Sequence, residues 1–428
     1  MSADRAPRRA PRWPRRSWRA GLVAAAALLL PAAALLPVAA PLAFADAVDT
    51  SRPHTVVVGA PRGFAPSERL DARRTGRSPS PLPSPAREAW RRQLRGGIDA
   101  APLADARGDL VIALTVPEVV KLGSDGRERW RVRIGNSAPL APAVITSDGT
   151  VAMITSSGVA LGLTPAGGVR FAVPLGVRGR DADVTPLALD DGGFVAAVGR
   201  SLVELAADGG VRARVEIPDR AVGALLAGPE GTLVTTESGA VLTWRPPGAP
   251  RRLGSLGGLP RHGAALEGAR TLLAVVDGRR LVALDLPTGT TSVRAGSALG
   301  MLDGPPAIGA GGTAVLMTSA GLLLGVDASG DEAFRIALDR PPPAPPAGGG
   351  RAGFFGPVDA KPSPPVVIDR AGRVGFARAG GRAGVVGVDG SVSIAAERVC
   401  STPIAVIPAG EERMAVACRD GTVVMLAR

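Results

Sequence analysis

Side chains suited to catalysis or metal binding are scarce in this 428-residue chain. Tyrosine is absent, and the histidines and cysteines are His54, His262, Cys400 and Cys418. A nucleophilic serine needs a base within hydrogen-bonding distance. His262 stands at the start of a repeated unit and could face the axial channel, but one candidate histidine is little support for such a base. Acidic residues stand singly in turn sequences such as Asp148-Gly149, where a turn-forming role is expected. The sequence predicts no catalytic residue and no metal site.

The two cysteines flank a predicted hairpin over residues 402–417. Pairing Ile407 with Glu412 places Cys400 and Cys418 at or beside opposing positions. Opposed β-carbons lie about 4.5–5.5 Å apart, close to the separation that a disulfide requires. We predict a Cys400–Cys418 disulfide, with a pair of buried thiols as the alternative.

Residues 1–45 have the pattern of a secretory signal. Seven arginines and one aspartate precede an uncharged apolar run over residues 21–44, which ends in Ala43-Phe-Ala45. This order predicts export with cleavage after Ala45; an uncleaved anchor is the alternative, because the run could span a bilayer. No cysteine stands directly after the run, so lipid attachment through an N-terminal cysteine is not expected. A periplasmic or secreted location would permit a disulfide.

The formal net charge of +12 is concentrated near the N-terminus. Besides the leader, residues 46–98 hold ten arginines against five acids. A nucleic-acid-binding domain carries its basic patch on the folded surface, so no nucleic acid partner is expected. Residues 46–86 are rich in proline and arginine and predict an extended linker.

A repeated unit dominates the rest of the chain. Residues 138–173 contain four short apolar runs that end in Asp-Gly, Ser-Gly or Gly-Gly, which are hairpin signals. Seven further units begin in the same way, and with this one their anchor residues are Pro102, Pro139, Pro186, Gly223, Gly263, Pro306, Pro365 and Pro403. A mean spacing of about 43 residues with four strands per unit is typical of a β-propeller.

The pattern therefore predicts an all-β chain of eight four-stranded antiparallel blades over residues 87–428, with seven blades as the alternative. The last unit has only three strands, and residues 88–94 precede the first unit as an unpaired strand. Pairing the two would close the ring and satisfy both open edges. Residues 339–363 form a predicted loop insertion between the sixth and seventh units.

The repeats carry a family likeness. The sequence Ala283-Leu-Asp285-Leu-Pro-Thr288-Gly289 resembles the repeat Ala-x-Asp-x-x-Thr-Gly-x-x-x-Trp, although Val293 takes the tryptophan place. Aromatic residues do occupy the tryptophan position in other units, at Trp130, Phe171 and Phe334. Trp90 lies where the strand that closes the ring would carry its aromatic residue. Over about residues 68–428 the chain resembles bacterial propellers of the pyrroloquinoline-quinone (PQQ) repeat type, which include quinoprotein dehydrogenases and the outer-membrane assembly factor BamB. The stretch 71–79 is similar to the opening of their propeller domain.

The resemblance has two implications for sites. Trp90, Trp130, Phe171 and Phe334 would each stack on a turn of the neighbouring blade, because a flat ring buries much area there. A dehydrogenase would also bind PQQ and calcium at the centre, using a tryptophan and a pair of adjacent cysteines. Cys400 and Cys418 are not adjacent, so no cofactor is expected.

We accordingly favour an exported, non-catalytic scaffold that binds a protein partner in the cell envelope or outside the cell, as a monomer without a membrane span once the leader is removed. The adjacent Phe354 and Phe355 in the insertion could anchor such a partner. The alternative is a divergent PQQ-dependent oxidoreductase or a small-ligand binder that uses the axial pocket.

Overall fold

The structure, a computed structural model, describes residues 63–176, 181–296, 301–338 and 363–428. These residues form 32 β-strands in eight four-stranded antiparallel sheets, with one short 3-10 helix at Ala310–Gly312. The sheets are the blades of an eight-bladed β-propeller, which confirms the predicted fold class and blade number. No helix within the described ranges has the length and apolarity needed to cross a bilayer.

Each blade is a meander whose first strand lies innermost, in contact with the first strands of neighbouring blades. Blade 1 contains β2 (Leu103–Ala104), β3 (Leu110–Ala113), β4 (Glu118–Leu122) and β5 (Glu128–Arg133). Blade 2 contains β6 (Val144–Ile145), β7 (Val151–Ile154), β8 (Val159–Leu163) and β9 (Val169–Pro174). Blade 3 contains β10 (Leu187–Ala188), β11 (Phe194–Val198), β12 (Ser201–Leu205) and β13 (Val211–Glu216). Blade 4 contains β14 (Ala221–Gly228), β15 (Gly231–Thr236), β16 (Ala240–Trp244) and β17 (Arg251–Ser255).

The second half of the ring repeats this order. Blade 5 contains β18 (Ala264–Glu267), β19 (Thr271–Val276), β20 (Arg280–Asp285) and β21 (Thr290–Ala295). Blade 6 contains β22 (Leu302–Ile308), β23 (Ala314–Thr318), β24 (Leu322–Val326) and β25 (Glu332–Ala337). Blade 7 contains β26 (Val367–Ile368), β27 (Val374–Ala377), β28 (Ala383–Val386) and β29 (Val392–Ala396). Blade 8 contains β30 (Pro403–Pro408), β31 (Arg413–Cys418), β32 (Thr422–Ala427) and, from the other end of the chain, β1 (Arg87–Gln93).

The alternation of side chains along single strands explains why the blades form a ring. In β19, Leu272 and Ala274 pack into the core shared with blade 4, whereas Leu273 and Val275 pack into the core shared with blade 6. Because successive side chains point to opposite faces, such a strand needs an apolar neighbour on each side. Similar clusters lie at every junction, and one of them joins blades 7, 8 and 1.

The ring closes through β1, as the sequence predicts. This strand pairs antiparallel with β32, from Arg87 opposite Ala427 to Gln93 opposite Thr422. Blade 8 therefore combines the two ends of the propeller chain, so that each supplies the hydrogen-bonding partner that the other lacks.

The predicted register of the last hairpin is wrong by three residues. Ile407 pairs with Ala415 rather than with Glu412, because the turn is longer than its sequence suggests. Cys400 lies before β30 begins, and Cys418 is opposite Pro403. The disulfide between Cys400 and Cys418 is nevertheless present, with a Cα–Cα distance of 6.3 Å.

Candidate functional site

The centre of the propeller is occupied by the chain itself. Residues 63–82, which we call the axial segment, contact the blades in chain order from blade 1 to blade 8. Six first strands donate a backbone N–H to a carbonyl of this segment over 2.7–2.9 Å, in the pairs Ala104–Ala65, Ile145–Pro66, Ala227–Ala72, Leu266–Arg73, Ile308–Thr75 and Ile368–Gly76. Blade 3 is reached through Thr185, whose hydroxyl donates to Glu68. Blade 8 is reached through Glu412, whose N–H donates to the carbonyl of Pro81 over 3.0 Å.

This arrangement has a simple physical cause. The innermost strand of each blade has one edge with no strand beside it, and buried N–H groups on such an edge need acceptors. The six donors lie at or next to the last residue of their strands. The axial segment therefore closes the end of the ring at which first strands turn into second strands.

The axial segment corrects part of the predicted linker, 46–86. Its described residues are not an extended spacer, since Ala65, Leu70, Arg74 and Leu82 are all buried. Proline and arginine suit this place because the segment must turn continuously and because guanidinium groups can reach several carbonyls at once. The motif at 71–79 that resembles the opening of the family's propeller lies within this segment.

Two arginines hold the axial segment across the centre. Arg74 donates to the carbonyls of Pro186 at 2.6 Å, Leu225 at 2.9 Å and Glu68 at 3.0 Å. Arg69 donates on the other side of the ring, to Val366 at 2.6 Å and Pro306 at 2.8 Å. Each guanidinium group thus ties the axial segment to two consecutive blades, blades 3 and 4 for Arg74 and blades 6 and 7 for Arg69.

The charge of these arginines is retained despite their burial. Desolvation lowers the pKa of Arg69 and of Arg74 to about 10, while the carboxylates of Glu68 and Asp71 act in the opposite direction. Asp71 also accepts the backbone N–H of Thr75 at 3.0 Å. Both guanidinium groups therefore stay protonated at neutral pH.

The residues around the axial segment do not fit the quinone that the resemblance implies. A cavity of about 50 Å³ lies between this segment and the inner strands of blades 7, 8 and 1, whereas pockets for such ligands measure about 300–1,000 Å³. Trp244 packs between blades 3 and 4, and its indole N–H donates to the carbonyl of Gly248 at 2.9 Å. The cysteines are joined to each other in blade 8, away from that tryptophan. The described residues also contain no group of three His, Cys, Asp or Glu that could hold a metal ion.

Trp90 and Trp130 lie on turns of the neighbouring blade. The indole of Trp90 covers Gly126, where an added Cβ would come within 2.8 Å of the ring, and its N–H donates to Ser124 at 2.8 Å. The indole of Trp130 covers Gly167 in the same way and donates to Pro165 at 3.0 Å. Glycine at these turns gives each indole a flat surface to stack on.

The two phenylalanines, Phe171 and Phe334, differ in whether they cover a turn of the neighbouring blade. Phe171 covers the turn glycine of blade 3, Gly209, and also Gly162 opposite it in its own blade. Phe334 covers Gly325 of its own blade and packs against the core between blades 6 and 7. Ile336, rather than Phe334, lies nearest to the turn glycine of blade 7, Gly390.

Blade 3 has Ala213 at the position where blades 1, 2 and 6 carry Trp130, Phe171 and Phe334. Here the neighbouring blade supplies the ring, because Trp244 of blade 4 is buried in the cluster against which Ala213 packs. The repeat pattern does not predict this role for Trp244, because the residue lies in the third strand of its blade rather than in the fourth.

Other candidate residues are placed apart from the axial segment or outside the described ranges. His262 lies in the turn before β18, where desolvation and then the charge of Arg261 lower the pKa of the imidazole. His54, Phe354, Phe355 and the leader lie outside the described residues. The axial segment is the feature that sequence reasoning missed, and its signal was the cluster of arginines in 69–77.

The molecule is an eight-bladed β-propeller. No family model matches the sequence, and no curated protein does so either. Similar solved structures include the computationally designed Ika8 protein, with 14% identity over 78% of this chain and 98% of that one and a TM-score of 0.61. Sqt1 of Saccharomyces cerevisiae has 9% identity, coverages of 79% and 98% and a TM-score of 0.60. BamB of Moraxella catarrhalis has 15% identity, coverages of 80% and 98% and a TM-score of 0.48. At these identities the likeness establishes the fold alone.

Proposed function

We propose that this protein is an exported, non-catalytic scaffold that binds a protein partner in the cell envelope. The observation that carries the proposal is the axial segment, which fills one end of the ring with backbone and two buried arginines. Propellers otherwise present their strand connections and outer strands, and binding residues are commonly found on such surfaces. The resemblance to a repeat family that includes an outer-membrane assembly factor points the same way.

The strand connections leave apolar side chains for contact with a partner. Val116, Leu140 and Met301 are exposed in loops at the end of the ring opposite the axial segment. Val388 is exposed at the end that the segment closes, and Val169 on the outer wall. Single exposed apolar residues are common, so we use them as positions for probes.

Photo-crosslinking in the native cells tests the scaffold role. A benzophenone amino acid is placed at Leu140, Val388 or Val169 of the full chain, and adducts are identified by mass spectrometry after irradiation. We expect a discrete protein adduct from at least one position and none without irradiation. Absence of adducts from all three positions, together with stoichiometric binding of PQQ and calcium and activity with a redox dye, would instead establish the oxidoreductase alternative.

The proposed location has its own test. N-terminal sequencing of the protein recovered from the envelope or medium is expected to begin at Asp46, one residue after the predicted cleavage site. A chain that retains its first residues in the membrane fraction would favour the uncleaved anchor.

A further inference from the structure

A basic cleft lies where the ring closes, between β1 of blade 8 and the outer part of blade 1. Its volume is about 530 Å³, and its nine lining residues include four arginines, Arg92, Arg95, Arg127 and Arg131, against one acid, Glu128. The volume lies within the range of about 300–1,000 Å³ that is usual for ligand clefts. The lining therefore has an excess of positive charge in a concave surface.

Arg131 is the one cleft arginine with close carboxylate partners. It contacts Glu118 and Glu128, each at 2.8 Å, and hydrogen bonding to Glu128 contributes most to raising the pKa of its guanidinium, with desolvation opposing it. The N–H donors of Arg131 are therefore occupied by Glu118 and Glu128, and the residue forms part of the cleft wall.

The other three arginines keep donors for a ligand. Arg92 uses Nε for the carbonyl of Gly126 at 2.8 Å, which leaves its two terminal nitrogens without a carboxylate among the described residues. Arg127 has a side chain that is 80% exposed, and its nearest carboxylate, Asp125, is 3.9 Å away. Arg95 makes no hydrogen bond or ion pair within the part of the chain that the structure describes.

The cleft is built on fixed elements. Gln93, beside Arg92, donates to the carbonyl of Asp420 at 2.7 Å and accepts from Thr422 at 2.8 Å. Leu94 and Leu122 are 8% and 2% exposed and form an apolar floor. Arginines that project from such a rigid base lose less freedom on binding than arginines of a loose loop.

We propose that this cleft binds a carboxylate-rich peptide segment of the protein partner. Guanidinium groups pair with carboxylates through two parallel N–H donors, and three such groups converge here above an apolar floor. None of the nine lining residues is aromatic, whereas proteins that bind single-stranded nucleic acids stack bases on aromatic rings. A membrane surface would be met by a flat or convex basic patch, and this one is concave. The inference rests on the proposed scaffold function and names the chemistry of the partner.

The test uses the purified full chain and a short fluorescein-labelled peptide of alternating glutamate and glycine. Fluorescence anisotropy is expected to show saturable binding that weakens with added salt, because salt screens exposed charges. Replacing Arg95→Glu and Arg127→Glu together is expected to weaken binding by at least about tenfold. The matched control is Arg252→Glu with Arg261→Glu, which changes net charge equally on exposed residues of blade 4 and of the turn after it.

Further variants keep the proposal testable if charge reversal disturbs folding. The pair Arg95→Gln and Arg127→Gln removes charge without reversing it and should weaken binding in the same direction. Arg95→Lys with Arg127→Lys keeps charge but loses the planar fork, so binding should fall between wild type and the glutamine pair. A circular dichroism spectrum of each variant verifies the fold.

Several results would overturn the proposal. Absence of peptide binding would do so, as would equal weakening by the control pair, which would indicate general charge attraction. Tighter cleft-dependent binding of a single-stranded oligonucleotide or of vesicles with anionic phospholipid would assign a different occupant. A photo-crosslinked partner without peptide binding would reject the cleft alone, whereas peptide binding without any crosslinked partner would reject the scaffold role alone.

Discussion

At the scale of single residues, Arg74 is the clearest example of a polar side chain placed by the tertiary structure. It is fully buried and satisfies three carbonyl oxygens from three parts of the chain. A buried charge is tolerated only when it is well hydrogen-bonded. Its removal would leave those carbonyls without a donor.

We expect Arg74→Gln to lower the free energy of unfolding by about 2–4 kcal/mol, because buried acceptors lose their partners. Arg107→Gln is the control, since Arg107 is exposed, and its effect should stay within about 0.5 kcal/mol. Urea unfolding followed by circular dichroism measures both. Equal effects of the two substitutions would show that Arg74 does not hold the centre.

Asp148 gives a prediction about pH. Desolvation would raise its pKa, but hydrogen bonds from Thr146 and Thr150 and contact with Arg170 outweigh this and lower the pKa to about 2. A carboxylate with a lowered pKa stabilises the fold above its unfolded pKa of about 4, and that contribution is lost as pH falls towards 2. Asp148→Asn should therefore be less stable than wild type at pH 7, with the difference shrinking between pH 4 and 2. Thermal unfolding across this range measures it, and a constant difference would contradict the assignment.

At the scale of elements, blade 8 differs from the other blades because it is assembled from both ends of the propeller chain. β1 contributes its pairing with β32, Trp90 contributes the contact with blade 1, and the disulfide joins the entry of the blade to its second strand. Each of the other seven blades is formed by four strands that are consecutive in sequence.

We expect loss of the disulfide to lower the free energy of unfolding by about 3 kcal/mol, as is usual for a loop of this size; the cysteines are 18 residues apart. The double substitution Cys400→Ala and Cys418→Ala and reduction of the wild type should have similar effects on the unfolding midpoint. Reductant should not change the double variant. A wild type that is indifferent to reductant would mean that the thiols are free in the native protein.

At the scale of the whole molecule, the axial segment and the ring depend on each other. Within the described ranges, the segment has no strand pairing beyond isolated bridges such as Ala65 with Ala104. The backbone N–H groups of the six inner strands at these positions have their acceptors, among those same ranges, in the segment. The segment supplies carbonyl acceptors and the inner strands supply N–H donors, so we expect the segment and the ring to fold together.

Two truncations test this dependence. A chain that starts at residue 63 keeps the axial segment and is expected to fold as a monomeric propeller. A chain that starts at residue 87 keeps every strand but lacks the segment, and should aggregate or lose most of its unfolding cooperativity because buried N–H groups stay unpaired. Size-exclusion chromatography and thermal unfolding distinguish them. Equal behaviour of both chains would show that the segment is dispensable.

The sequence by itself determined the all-β class, the eight blades and the closing strand, because these follow from local turn signals and from strands apolar on both faces. The sequence also predicted the disulfide, although the strand register predicted for Ile407 was wrong. The period of the repeats and the alternation of apolar side chains are local properties, and they can be recognised directly in a sequence.

Only the tertiary structure decided the path of residues 63–82. Their proline and arginine content predicts an extended linker, and the cluster of arginines in 69–77 does not by itself indicate burial. The ring itself buries them. The inner edges of its blades place backbone N–H groups around the centre, and these groups need carbonyl acceptors, which residues 63–82 supply. Two other features also depend on the tertiary structure. Trp244 fills the space beside Ala213, and Arg92, Arg95 and Arg127 line one cleft. In both cases the closed ring, and not distance along the sequence, decides which residues are neighbours.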